Sequence, residues 1–367
     1  MNHSPLHYQI ALTFLHGIGP RKAGALISKL GSLEAIFHEK YADIHQLTGI
    51  NRSILKNMQR EKALELADFQ VNYVLKNNIN THFYLNTNYP RRLKQCEDAP
   101  LLLYSKGDFD ANPTRIISIV GTRAATDYGK GLCEELIQTI KGNEIQVVSG
   151  MAYGIDICAH QLCLKHGIQT IGVLGHGLDR LYPSIHKRTA EQMLLNGGLL
   201  TEFIPGTKPD RENFPMRNRI VAGISDATIV IESKKTGGSL ITADLANDYS
   251  RDVFAFPGNI GQIFSEGCNL LIKKQKAHLL VNGNDFLKQM NWDESAQKKG
   301  IVQRSCFIDL SGEEKQICKL LEGSKGEHVD VLAIRAQLPI SHINVQLFHL
   351  EMKGVVRSLP GKKYSLI

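Results

Sequence analysis

The sequence predicts an α/β protein in which a doubly wound parallel sheet fills the middle of the chain, preceded by a helical module and followed by a winged helix. Three observations carry that expectation. Between residues 116 and 256, short β-branched runs alternate with segments of helical spacing. Two successive runs, Ile116 to Val120 and Ile145 to Val148, stop at small-residue turns that open into helices. Near its end the chain gives three helical stretches and then a hairpin around Pro360-Gly361. Alternation of strand and helix is the pattern of parallel sheets buried on both faces, and three helices with a hairpin make a winged helix.

Bulk composition agrees with several domains. A chain of 367 residues exceeds one ordinary core, so two or three domains are expected. Its apolar fraction of 43% and charged fraction of 22% are globular, and a net charge of +7 leans mildly toward a polyanionic partner. Seven cysteines, odd in number and without a Cys-x-x-Cys pair, point to reduced thiols and a cytoplasmic protein. Met1 to Pro5 lacks the design of a signal peptide, and no apolar run approaches the ~20 residues that span a bilayer, so no membrane segment is expected. Cys158, His160, Cys163 and His166 crowd one helix, but their spacing spreads them around it, and no metal is expected there.

In chain order, residues 1–75 read as short helices. Leu12 to Leu15, the Gly17-Ile18-Gly19 corner and a helix through Ala23, Leu26, Ile27 and Leu30 describe a helix-hairpin-helix element, with Leu47 to Ile50 as a degenerate second copy. Arg21 and Lys22 beside it could grip a nucleic-acid backbone without reading bases; a module that only packs or mediates protein contacts fits equally. Phe83 to Leu85 and Leu101 to Tyr104 extend the sheet of the domain at residues 76–290. That domain has helices at Asp127 to Ile140, Ile155 to His166 and His186 to Leu195. Further strands lie at Thr170 to Leu174, Ala227 to Ile231 and Val253 to Phe256. Residues 291–305 are polar and read as a linker. The winged helix, residues 306–367, has helices at Glu313 to Leu321, Val329 to Ala336 and Ser341 to Met352. Its would-be recognition helix holds no Lys or Arg, which argues against major-groove reading and for protein contact.

The chemistry is expected in the loops after the strands, where glycine admits close backbone approach and first-turn N–H groups attract anions. Gly121, Thr122 and Arg123 form one such loop; Ser149, Gly150 and Gly154, running into Ile155 and Asp156, form the second. Gly238, Ser239 and Thr242 open a third helix, and Gly175 to Pro183 make another polar loop. Arg217 and Arg219, with Asn218 between them, are the guanidinium groups expected to fork onto phosphate oxygens. The Walker pattern is absent, because Gly129-Lys130 is followed by Gly131. So many loops on one sheet edge exceed the needs of a mononucleotide, and Tyr128, Tyr153, Tyr182 and Phe214 beside them suit unpaired, stacking bases. Single-stranded nucleic acid is therefore the favoured ligand.

At this point the residues resemble a known family. Gly121-Thr122-Arg123, Ser149 to Asp156 with Ala159-His160, Gly175-x-Gly177-x-Asp179-x-x-Tyr182-Pro183, Phe214-x-x-Arg217-Asn218-Arg219-Ile220, Ser239-Leu240-x-Thr242-Ala243 and Phe256-Pro257-Gly258 are similar to the DNA-processing protein A family (DprA, also Smf). The resemblance implies an extended Rossmann-like domain flanked by helix-hairpin-helix (SAM-like) and winged-helix domains. It also implies a bacterial, cytoplasmic, homodimeric protein of natural transformation that binds incoming single-stranded DNA and loads the RecA recombinase, without catalysis or cofactor. The family's phosphate pocket falls on the loops above. His186 and Thr189 stand where the family usually has Asn and Leu.

Two other readings compete. Phosphoribohydrolases of this Rossmann variant carry a catalytic Glu just inside the helix after a Gly-Gly loop, whereas this chain has Ser239 to Asp244 there, with Asp244 a weak substitute. A duplex-specific regulator acting through the winged helix lacks the basic residues it needs.

Overall fold

The computed structural model describes residues 3–293, 310–324 and 326–367. Packing divides the chain into two units, Met1–Leu279 and Leu280–Ile367.

The first unit begins with six helices: α1 (Pro5–Thr13), α2 (Pro20–Leu30), α3 (Leu33–His38), α4 (Tyr41–Thr48), α5 (Arg52–Lys56) and α6 (Arg60–Lys76). Ser4 caps α1 through its side chain, and Pro5 sits at the first helical position, where its missing N–H costs nothing. The two cations expected to grip nucleic acid are engaged within the chain: Arg21 pairs with Glu97, and Lys22 Nζ donates to Gly17 O at 2.9 Å. The helical core, with Ile10, Leu12, Leu26 and Ile44, is continuous with Phe83, Leu101, Leu102 and Tyr104 of the strands that follow. The change of pattern at residue 75 is thus not a division between cores.

Next come β1 (Asn80–Phe83), α7 (Arg91–Lys94), β2 (Leu102–Asp108), β3 (Arg115–Val120), α8 (Asp127–Ile140), β4 (Ile145–Ser149), α9 (Ile155–His166), β5 (Thr170–Val173), α10 (Lys187–Met193), β6 (Gly197–Thr201), α11 (Asn213–Ile224), β7 (Ala227–Val230), α12 (Gly238–Asp248), β8 (Asp252–Ala255), α13 (Glu266–Lys273) and β9 (His278–Leu279). The strands form one sheet in the order β1-β2-β6-β5-β4-β3-β7-β8-β9. From β6 to β9 every pairing is parallel, while β2 joins β6 and β1 joins β2 antiparallel. β3 is buried along nearly its whole length, as its Ile-Ile-Ser-Ile-Val run requires of a central strand. The chain leaves β3 toward β4 and β5, then crosses back and leaves β7 toward β8, so the order reverses between β3 and β7. At such a switch point the loops beyond the carboxyl ends of neighbouring strands part and leave a crevice.

α8 and α9 have the bounds expected from the sequence, Asp127–Ile140 and Ile155–His166. Thr126 caps α8, its hydroxyl accepting from Gly129 N at 3.3 Å, and Gly167 ends α9 in the left-handed conformation. β6 was not expected, because its two leading glycines weaken the strand pattern.

An ion pair of buried Arg92 and half-buried Asp226 binds the outer strands to the centre. Arg92 on α7 makes a two-pronged contact with Asp226 at 2.6 and 2.8 Å and donates to the carbonyls of Pro113 and Thr114, while Asp226 also accepts from Ile116 N.

The second unit contains α14 (Gly283–Gln289) and a winged helix of helices Gly312–Leu321, Val329–Ala336 and Ile340–Met352 with a three-stranded sheet, β10 (Glu327–His328), β11 (Val356–Leu359) and β12 (Lys363–Leu366). Ile317, Leu332, Ile343, Leu347 and Val356 form its core. Residues 294–305 of the expected linker, and Cys306, lie outside the described residues. No helix among the described residues is long and apolar enough to cross a membrane.

Candidate nucleic-acid interface

The loops after β3, β4 and β7 meet the exposed start of α11 around one groove of about 810 Å³ at the switch point. Gly121, Thr122 and Arg123 line it from the first loop, Gly150 and Asp156 from the second, Arg217 and Asn218 from α11, and Gly238, Ser239 and Thr242 from the first turns of α12. Thr122 N–H donates to Glu232 O at 2.7 Å, which ties the loop after β3 to the one after β7. The Glu232 side chain is buried beneath Gly129 and accepts from Thr126 N and Oγ1 at 3.0 and 2.6 Å. One carboxylate thus fixes the spacing of the two walls.

The floor is made by Gly150. A Cβ at this position would overlap the Arg217 guanidinium and Asp156 Oδ2, so the polypeptide passes directly over both groups and only glycine fits. His160 pins this peptide from below: Nε2–H donates to Gly150 O at 2.7 Å, and Nδ1 accepts from Thr170 Oγ1 at 2.7 Å. Burial brings the His160 pKa down to about 4, so the imidazole is neutral at pH 7 and can fill both roles. His186 and His176 brace the neighbouring turns in the same manner. His186 Nδ1–H donates to Met151 O at 2.9 Å; His176 donates to Gly177 O at 2.9 Å and accepts from Tyr182 N at 3.1 Å.

Arg217 is buried, with Nη1 donating to Val173 O and Nε lacking a protein acceptor. Asp156 beside it is also buried; burial pushes its carboxyl up to about 6 against the opposing pull of Arg217, the Ala152 N–H and Arg123. The cations that face solvent are others. Arg123 is exposed, makes no hydrogen bond to a described protein acceptor, and lies 5.7 Å from the centre of the Phe214 ring. Arg211 is exposed and likewise without a protein acceptor among the described residues, and Lys234 lies 5.2 Å from the Phe264 ring. Gly238 and Ser239 N–H, at the first two positions of α12, have no acceptor among the described residues, as helix geometry dictates for an uncapped start. Tyr182 and Phe214 pack at 6.0 Å on the rim and Tyr153 against His186 at 5.1 Å, while Tyr128 donates to Pro257 O at 2.7 Å.

Four expected contact residues do not line the groove. Arg219 is directed away from it, pairing with Glu202 and donating to Asp98 O. Ser149 is fully buried and its hydroxyl donates to Ile119 O at 2.6 Å. Ile155 is buried against Gly121 and donates from its amide to Thr122 O at 3.1 Å. Gly154, at φ 79 and ψ −124, lies against the Thr122–Arg123 backbone in a conformation side chains do not tolerate. Ser149, Gly154 and Ile155 thus hold the loops after β3 and β4 together from beneath. Arg211 is the groove cation that the sequence reading missed; its sign was in the sequence, three residues before Phe214, but an exposed Arg in a polar loop carries no pattern. Asp244, the substitute for a hydrolase Glu, does not line the groove and forms an ion pair with Lys276 at 2.7 Å.

A family model described as DNA recombination-mediator protein A matches residues 80–291, and one described as DprA winged helix domain matches residues 308–362. The DNA processing protein DprA of Streptococcus pneumoniae strain R6 is 41% identical over 204 residues, 56% of this chain and 72% of that protein. Protein Smf of Escherichia coli K12 is 34% identical over 280 residues, 74% of each chain. Among solved structures, the S. pneumoniae DprA crystal structure superposes with a TM-score of 0.63 at 32% identity, covering 79% of this chain and 99% of that one. The DprA of Helicobacter pylori, from work on its single-stranded DNA binding mode, gives 0.53 at 29% identity, covering 59% and 96%.

Proposed function

This chain belongs to the DNA processing protein A family, and from that premise we propose that it binds single-stranded DNA along the groove and, as a cytoplasmic homodimer without catalytic activity, delivers that strand to the RecA recombinase during natural transformation. The observation that carries the reading is one continuous groove in which solvent-facing Arg123, Arg211 and Lys234 stand beside the Tyr182 and Phe214 rings. Cations spaced along a channel follow a phosphate backbone, and rings beside them take bases whose faces are free; in duplex DNA those faces are already stacked. The single-stranded DNA binding of the H. pylori relative supports the same choice of ligand. The start of α12 adds two backbone donors suited to a phosphate oxygen.

Fluorescence anisotropy with labelled oligo-dT over a salt series tests this. Affinity falls with salt at a log-log slope of about 0.7 per neutralised phosphate, and duplex of equal length competes at least tenfold less well. Equal competition by duplex sinks the proposal.

Binding also depends on pH through Asp156. Its raised pKa of about 6 means that the group is mostly ionised at pH 7 and takes up a proton as pH falls toward 5, removing a negative charge from the groove floor. Single-stranded DNA binding therefore tightens over that interval, by at least about fivefold, since a charge buried beneath the groove is screened less than a surface charge worth ~1 kcal/mol. His160, with its pKa near 4, stays neutral throughout. Asp156→Asn binds at pH 7 as the wild type does at pH 5 and loses most of the pH dependence; an unchanged profile in that variant would show that another group titrates.

A further inference from the structure

We propose that His3, His7 and Asp68 form a site for one divalent transition-metal ion of the zinc, cobalt or nickel class, which pins the start of α1 to α6. Ser4 caps α1 and Pro5 opens it, so His3 leaves the chain just before the first turn and folds over His7, with ring centres 3.9 Å apart at 83°. α6 packs along α1 and brings Leu64 and Asp68, one turn apart, against the same imidazole. His7 Nε2 lies 2.8 Å from Leu64 O and 3.5 Å from Asp68 Oδ1. One ligand atom from each of the three residues lies within 4.8 Å of the others, and they are the one such group of His, Cys and carboxylate side chains among the described residues.

Tetrahedral zinc with bonds of about 2.0–2.1 Å sets its ligand atoms roughly 3.4 Å apart. Closing the cluster to that size asks for rotations, the larger ones in the side chains freest to make them: His3 is half-buried and Asp68 exposed, while buried His7 needs only to turn its ring off Leu64 O. Two imidazoles and one carboxylate suit zinc, cobalt or nickel and do not suit magnesium or calcium, which prefer oxygen alone. The solvent side of Asp68 leaves room for a water as fourth ligand.

His7 Nε2 carries the proton that it donates to Leu64 O; to bind, the ring turns Nε2 off that carbonyl toward His3 and Asp68, and the proton leaves to solvent. The loss is small, since Leu64 O still accepts the Asp68 amide within α6.

The test uses untagged full-length protein stripped with chelator, titrated with zinc chloride by calorimetry and with cobalt chloride by visible absorption. One equivalent binds with a dissociation constant of about 10 µM or less, cobalt gives the intense bands of a tetrahedral site, and zinc raises Tm. His3→Gln and Asp68→Asn, both outside the core, keep the wild-type circular dichroism and each weaken binding at least tenfold. Absence of binding at roughly 100 µM metal, tenfold above that constant, overturns the proposal, as does one equivalent bound equally well by both variants. The outcome is independent of DNA binding, because none of the three residues lines the groove.

Discussion

Replacing Arg123 and Arg211 together by alanine is expected to weaken single-stranded DNA binding about thirtyfold and to flatten its salt dependence. Both side chains are exposed and lack a protein acceptor among the described residues, so their charges are available to phosphate and their loss leaves nothing buried without a partner. A solvent-facing charge contact contributes ~1 kcal/mol, about fivefold, and two such contacts that share no partner add. Each removed charge takes about 0.7 from the log-log slope, so the double variant loses about 1.4. Arg219→Ala is the informative control. Arg219 is held by Glu202 and Asp98 O away from the groove, so this variant loses stability, because Glu202 is left buried without its cation, yet keeps the wild-type slope. A double variant with an unchanged slope would place the strand elsewhere.

The contrast between Arg217 and Arg219 shows where the sequence was legible. The Phe-Pro-Met-Arg-Asn-Arg stretch announces itself by its charge, and taking it as a loop that opens a helix sets both guanidinium groups on the ligand. It is instead the first half of α11, where residues two apart lie roughly 200° apart around the axis. Arg217 therefore enters the groove floor and Arg219 faces Glu202. Helical period alone separates the pair once the helix is known, but Pro215 near its start masks it as a loop.

Capping chemistry was the more reliable guide. Thr126-Asp127 marks the start of α8 and Asp156 the first turn of α9 because those signals are local, involving a side chain and the backbone a few residues away. The joining of the N-terminal core to β1 and β2 was not legible, since Leu26 and Tyr104 enter one core only through the fold. For the same reason Ser149, Gly154 and Ile155 read as ligand contacts: a residue that supports a loop from beneath and one that faces the ligand share composition and differ only in direction. Glu232 went unnoticed because it follows a strand as an ordinary polar residue, and only pairing through Thr126 reveals its part.

The same substitution, glycine to alanine, is expected to have opposite signs at Gly150 and Gly131. At Gly131, on the exposed side of α8, a new Cβ meets nothing within 4 Å. Alanine there removes unfolded-chain freedom and favours the helix, stabilising by about 0.5–1 kcal/mol. At Gly150 the new methyl would fall on the Arg217 guanidinium and on Asp156 Oδ2. Neither can retreat: Arg217 is fastened to Val173 O, Asp156 is buried in the first turn of α9, and the peptide is itself held by His160. Overpacking alone costs about 1–3 kcal/mol. Separating two buried opposite charges adds several more, giving a loss of about 3–5 kcal/mol. Urea denaturation followed by circular dichroism measures both shifts. Gly150→Ala also displaces Arg217 from the groove floor, so its remaining folded fraction binds single-stranded DNA at least tenfold more weakly, a loss of about 1.4 kcal/mol. Wild-type stability in Gly150→Ala would mean that the floor has slack, and that Arg217 and Asp156 are not held as a unit by the peptide above them.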